Sequence, residues 1–345
     1  MGKVGIKKDL YNRVVPIIEG SRNRILATIN QEIIKAYWQI GREIIEEEQN
    51  GQDRAEYGKA IVKTLSEQLT ETFGKGFTRR NLWQMRKFYE TYPIVHALRA
   101  QLSWTHYRLL ISVEDPSKRS FYEVESINNQ WSTRELERQV NSLLFERLTL
   151  SKEKSEVLTI AKEGQQISNP QDLVKDPYVL EFLGLPQSAK LFEKDLESAL
   201  IEHLQQFLLE LGKGFSFVAR QQRIKMDDEN FYIDLVFFNY HIKCFVLIDL
   251  KIGKLTHQDL GQMQMYVNYY TREKMDDGDN KPIGIVLCAD KSDAVVRYTL
   301  SEDNQQIFAS RYKLYLPTEE ELRTELIKEK EILESNLPDE VIQDS

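Results

Sequence analysis

The 345-residue sequence is poor in the features that mark secreted, membrane-spanning and zinc-bound chains. Its two cysteines, Cys244 and Cys288, each lie in an apolar run that reads as a core strand, so buried reduced thiols are expected and a disulfide is not. Five histidines are scattered without the spacing of a zinc site. No apolar run approaches the roughly 18 residues that a membrane span needs. Residues 1–13 lack the apolar core of a signal peptide. A cytoplasmic protein with no membrane contact is predicted, and nothing asks for a small-molecule cofactor. A basic excess is also missing: the net charge is −8. That deficit is uneven, with +4 over residues 1–150 and −12 over the remainder, which permits a local basic surface on the first part.

With 41% hydrophobic and 29% charged residues, the chain has the composition of a soluble globular protein, and its length suggests two domains. The expected organisation is a helical domain over 1–150, a linker over 151–186, an α/β domain over 187–318, and an acidic helix and tail over 319–345. Residues 1–20 read as a partly ordered arm. From about Arg22 to Gln49 the spacing of Ile25, Ile29, Ile33, Tyr37, Ile40 and Ile44 predicts a long amphipathic helix. Two further helices, Gly58–Phe73 and Thr78–Tyr89, flank Gly74-Lys75-Gly76-Phe77, with Thr78 as N-cap of the second. That outline is a helix-turn-helix candidate. Its second helix carries Arg79, Arg80, Arg86 and Lys87, residues suited to phosphate contacts with DNA; a plain helical hairpin with a basic solvent face is the alternative. Segments 102–113, 121–126 and 131–148 read as helices, the last opened by a Ser132–Glu135 capping box. His106, beside Trp104 and Tyr107, reads as packing. Gly164–Pro170 and Gly184-Leu185-Pro186 mark the linker.

The second domain opens with a helix over 187–211 ended by Gly212. Strands follow at Phe215–Lys225, Phe231–Phe238 and Lys243–Lys251, then a helix over His257–Lys274, a strand near Pro282–Ala289 and an edge strand over Ile307–Leu316. Arg220 or Gln222, at the end of the first strand, is placed to hold a phosphate or to pair with acidic surface. On the third strand, alternation sets Asp249 and Lys251 on the side of Phe245 and Leu247, and Cys244, Val246, Ile248 and Leu250 on the other. A strand this apolar is normally covered on both faces, so a carboxylate and an ammonium at its end need a reason.

Asp234 and Asp249, on matching ends of neighbouring antiparallel strands, are a hard-oxygen pair of the kind that binds Mg²⁺, with Mn²⁺ as a substitute. Lys251 would sit beside the scissile phosphate of a phosphodiester and offset developing charge. An ordinary salt bridge is the plainer reading, and an isolated D-x-K would favour it. Here the carboxylate precedes D-x-K by a fifteen-residue step on two apolar strands, with an amphipathic helix after them.

Ile233-Asp234 followed by Asp249-Leu250-Lys251 resembles the signature of the PD-(D/E)xK nucleases, with Ile233 where that family often has Pro and Asp249 where many members have Glu. Gln262 and Tyr266 resemble the Q-x-x-x-Y motif of RecB-like members. More closely, 196–224, together with the stretches YWQIGREI (37–44) and 76–93, resembles YhcG-like proteins over most of the chain. The resemblance implies an all-helical N-terminal domain and a restriction-endonuclease-like αβββαβ core, α+β in class. It implies Glu197 as a third metal ligand beside Asp234 and Asp249, with Glu202 as competitor. It also implies that Gln262 and Tyr266 hold substrate or lysine. The function expected is metal-dependent hydrolysis of phosphodiester bonds, in DNA first, by a chain open to homo-oligomerisation; a non-catalytic DNA-binding or adaptor protein on the same scaffold is the alternative.

Overall fold

The computed structural model describes residues 8–50, 54–95, 98–149, 154–185, 192–301, 303–316, 318 and 320–321. The acidic segment expected over 319–345 therefore lies almost wholly outside the described residues. The chain forms two compact units, Met1–Glu137 and Arg138–Ser345. Among the described residues no helix is long and apolar enough to cross a membrane.

The first unit is helical. Helix α1 spans Lys8–Asn50 with Pro16 inside it, so the arm expected over 1–20 is helical from Lys8 onward. The apolar face seen from Ile25 onward already begins at Val14 and Ile18, on either side of the proline. After α2 (Arg54–Phe73) and a single 3₁₀ turn at Lys75–Phe77, α3 runs Arg79–Thr91. Thr78 caps α3 as expected, its hydroxyl accepting from the Asn81 N–H. Leu82, Met85 and Phe88 form the buried face of α3. A Cβ on Gly41 would lie 2.1 Å from the Met85 carbonyl oxygen, so only glycine lets α1 and α3 approach this closely.

Helices α4 (Trp104–Leu110), α5 (Pro116–Asn128) and α6 (Thr133–Asn141) follow. His106 is structural as expected: its ring bonds the Ser103 cap and the Trp131 carbonyl. Ser132 and Glu135 form the predicted reciprocal cap. The single helix expected over 131–148 is interrupted at Ser142-Leu143, where Leu143 adopts φ +53, and resumes as α7 (Leu144–Thr149).

The second unit is built on one six-stranded sheet of order β1-β6-β5-β4-β3-β2. Strand β1 (Tyr178–Val179) lies within the segment expected as a linker, which also holds α8 (Lys154–Glu163). This stretch is ordered by a buried charge cluster. Glu210 accepts from Arg147 and Arg138, and the Lys175 ammonium donates to its backbone carbonyl. Burial works against the Glu210 carboxylate, but Arg147, Lys175 and Arg138 hold it down at about 2. Strand β6 (Ile307–Lys313) pairs with both β5 and β1. It is therefore interior, where the sequence suggested an edge.

The core is helix, three strands, helix, strand. The helix expected over 187–211 is two, α9 (Glu193–Glu202) and α10 (Leu204–Leu211), parted where His203 leaves helical geometry. Strands β2 (Phe215–Met226), β3 (Glu229–Asn239) and β4 (Cys244–Lys254) form an antiparallel meander. Helix α11 (His257–Glu273) then crosses to β5 (Ile283–Asp290), parallel to β4, and α12 (Asp293–Thr299) leads to β6. Cys244, Val246, Ile248 and Leu250 pack with Leu196, Leu200, Phe207 and Leu211 of α9 and α10. Phe245 and Leu247 pack with Met263, Tyr266 and Tyr270 of α11. The alternation read along β4 thus holds, and both faces are covered.

Candidate active site

The site forms where β3 and β4 part. Their ladder runs from the Asn239–Cys244 pair to Leu235–Ile248, so the next positions across the two strands are Asp234 and Asp249. There a carboxylate takes over from the backbone: Asp234 Oδ2 accepts from the Leu250 N–H at 2.7 Å. Asp249 is 3% exposed. Lys251 Nζ stands 2.9 Å from Asp249 Oδ2, a largely buried ion pair at the end of β4.

Electrostatics follow from that geometry. Burial first, with Asp234 and Glu193, raises the Asp249 carboxyl against the pull of Lys251, to about 7 on balance. Burial works to lower the Lys251 ammonium, but Asp249 outweighs it and holds the pKa above the usual lysine range. The Glu197 carboxyl is raised, first by burial and then by Asp234.

Glu197 and Asp234 meet through a residue that the sequence reading passed over. The Gln221 amide nitrogen donates to Glu197 Oε2 at 2.8 Å and to Asp234 Oδ1 at 2.9 Å. Gln221 lies opposite Asp234 across β2 and β3, at a position skipped in the ladder between Arg220–Leu235 and Gln222–Ile233. Its φ is +44, in the left-handed region that a glutamine seldom adopts. A register shift between Phe217 and Ala219 and this backbone turn break the simple alternation along β2. That is why attention fell on its neighbours. Arg220 is exposed and bears on Glu197 only by its charge, and the Gln222 amide donates to the Arg223 carbonyl. Neither bonds a site carboxylate, and Arg220 remains exposed beside Gln221. Glu202 is exposed, whereas Glu197 is buried, so of the two glutamates the structure brings only Glu197 to the aspartates.

Gln262 and Tyr266 bond each other and the β3 backbone, with Tyr266 within electrostatic reach of Asp249, Lys251 and Asp234. The Gln262 amide bonds the Tyr266 hydroxyl, which donates to the Tyr232 carbonyl at 2.8 Å. The pair therefore holds β3 two residues before Asp234. On α3, Arg79 pairs with Glu67, and Arg86 is engaged by Glu48 and Glu90. Arg80, Lys87 and Trp83 are exposed.

Among the described residues no three His, Cys, Asp or Glu side chains are gathered closely enough to hold a metal ion. The expected trio of Asp234, Asp249 and Glu197 is thus not assembled as a cage: the Gln221 amide stands between two of its members and Lys251 flanks the third. The physical reason is mutual repulsion of carboxylates, which the amide and the ammonium offset. The donor set still suits a hard cation. Asp249 and Asp234 face each other past the end of the β3–β4 ladder, two carboxylates of the kind a hard cation takes.

Residues 171–327 match the YhcG PDDEXK nuclease domain, and residues 13–147 match the DUF1016 N-terminal domain. The chain is 36% identical to "Putative nuclease YhcG" of Escherichia coli (strain K12) over 359 aligned positions, covering 95% of each protein. Among solved structures, a repair endonuclease from Pyrococcus abyssi aligns over 38% of this chain and 50% of its own, at 15% identity and a TM-score of 0.26. EndoMS in a complex with double-stranded DNA aligns over 39% and 50%, at 14% identity and a TM-score of 0.27. The length, identity and double domain match make the assignment: the chain belongs to the YhcG family and carries its PDDEXK nuclease domain.

Proposed function

We propose that this protein is a divalent-cation-dependent deoxyribonuclease that hydrolyses phosphodiester bonds, with its helical first unit assisting substrate docking. One observation carries the reading. A nearly inaccessible carboxylate, Asp249, is paired with a lysine ammonium 2.9 Å away and faces a second aspartate across the strands. An ordinary structural salt bridge has no use for a second carboxylate, Asp234, that raises the proton affinity of the first.

Asp234 and Asp249 would hold Mg²⁺ or Mn²⁺, and Glu197 would join them once Gln221 gives way. The bound cation supplies Lewis-acid polarisation of the scissile phosphate. Lys251 stays protonated beside Asp249, so it orients the attacking water and offsets charge as the phosphorus–oxygen bond to the leaving group breaks. Gln262 and Tyr266 act as positioning residues by fixing the β3 backbone ahead of Asp234. Exposed Arg80 and Lys87 on α3 support DNA contact through phosphates.

The test is incubation of the full chain with linear, supercoiled and branched DNA, and with RNA, in Mg²⁺, Mn²⁺ or EDTA, beside Lys251→Ala and Asp249→Ala. Cleavage of DNA that needs the cation and is lost in both folded variants is expected. Retention of DNA without cleavage under either metal would overturn the enzymatic reading in favour of a binding protein. Cleavage of RNA alone would overturn the substrate class.

A further inference from the structure

Helix α1 shows one apolar face along most of its length, and most of that face is uncovered. Val14 and Ile18, Ile25 and Ile29, and Ala36 and Ile40 repeat every eleven residues. That period, 3.67 per turn, keeps a stripe almost straight along an α-helix. The opposite side of the helix is used differently: Ile34, Trp38 and Gly41 turn into the unit, with Gly41 against α3. Beyond Ile34 toward the N-terminus no described side chain of α1 is buried. Nine large apolar residues between Leu10 and Ile33 are each 38–66% exposed.

The same stripe runs on into a groove. Ala36, Ile40 and Ile44 of α1, with Ile61, Leu65 and Phe73 of α2, line a cavity of about 800 Å³ together with the charged Glu43 and Glu47. One unit thus presents a projecting apolar helix and, further along the same helix face, an apolar groove of helix-wall character. Self-complementary surfaces of this kind close by two-fold symmetry.

We infer that α1 is a dimerisation element, pairing antiparallel with α1 of a second copy so that each projecting half fills the other copy's groove. A two-fold axis near residues 32 and 33 sets Ile25 opposite Ile40 and Ile29 opposite Ala36. It also sets Arg22 opposite Glu43, so the more basic half of one helix meets the acidic half of the other. Parallel pairing would set Arg22 on Arg22 and Glu43 on Glu43. Of the nine, Ile18, Ile25, Ile29 and Ile33 lie on the stripe within the overlap that this axis gives the two helices. Continuous helix from Lys8 to Asn50 supplies the length.

The experiment uses the full chain. Sedimentation equilibrium of the wild type is expected to give twice the 40.5 kDa chain mass. The double variant Ile18→Glu, Ile25→Glu is expected to give the single mass with an unchanged circular dichroism spectrum, since neither side chain packs inside the unit. Orientation is read by oxidation: Ile29→Cys with Ala36→Cys should form a disulfide-linked dimer, and Ile29→Cys alone should not. The native Cys244 and Cys288 are buried and do not interfere. A monomeric wild type, including one whose stripe is covered by another part of its own chain, would overturn the inference. So would a dimer that survives both glutamates, or cross-linking by Ile29→Cys alone.

Discussion

Replacing Asp249 by Asn should make the metal-free protein's stability less sensitive to pH, by an amount the structure allows one to work out. Burial first, with Asp234 and Glu193, raises the folded-state carboxyl from an ordinary 3.8 to about 7 on balance. Between these values the folded protein holds a proton at Asp249 that the unfolded chain has released. Stability therefore falls as pH rises through that window, and the whole loss is present above it. Roughly three pKa units at 1.36 kcal/mol each give up to about 4 kcal/mol. Asn mimics the protonated form and suffers no such loss. In urea denaturation with EDTA, the wild type minus Asp249→Asn difference should fall by up to about 4 kcal/mol between pH 4 and pH 8. The raised Lys251 ammonium titrates above that range, and Glu197, also raised, is common to both proteins. Saturating Mg²⁺ should flatten the wild-type dependence, because a cation at the carboxylate replaces the proton. A difference that stays constant, or that moves in favour of the wild type as pH rises, would refute the reasoning by showing that Lys251 outweighs burial.

Two further outcomes concern the residues around the aspartates. Gln221→Gly keeps the left-handed backbone without strain, whereas Gln221→Ala keeps the strain, so the glycine variant should be the more stable by about 1 kcal/mol in EDTA; the reverse order in thermal melts would mean that φ +44 is not strained. Tyr266→Phe removes the hydroxyl that holds the Tyr232 carbonyl and leaves Gln262 unpaired. It should cost about 1–3 kcal/mol and lower cleavage through kcat more than through KM; unaltered kinetics with unaltered Tm would remove the pair from any positioning role.

The second unit was legible because each of its core strands obeys one rule at a time. Phe245 and Leu247 alternate with Val246 and Ile248, and the structure sorts them onto the two covered faces accordingly. Asp249 and Lys251 inherit that alternation, so their meeting was readable before any coordinates. Gln221 was not, because its placement depends on a skipped ladder position and a positive φ that no local residue pattern announces. Glycine or asparagine would have signalled such a turn; glutamine conceals it. The ordered segment before α9 was missed for a different reason. Its charges and prolines read as linker, but Glu210, distant in sequence, gathers Arg138, Arg147 and Lys175 around one buried carboxylate. Long-range ion clusters leave no periodicity.

These misses share a cause that bears on how the site works. Regular pairing ends between β3 and β4 at Leu235–Ile248 and is distorted between β2 and β3 at Gln221. A parted pair of strands leaves backbone groups without ladder partners, and Asp234 satisfies one of them at Leu250. The same carboxylate therefore closes the sheet and faces the reacting groups. An alanine at 234 should then remove both a backbone acceptor and a cation ligand, whereas an asparagine keeps the acceptor. Folding that survives Asp234→Asn while divalent-cation binding is lost would separate the two duties. Equal loss of folding in both variants would show that the charge itself, and not the acceptor, closes the sheet.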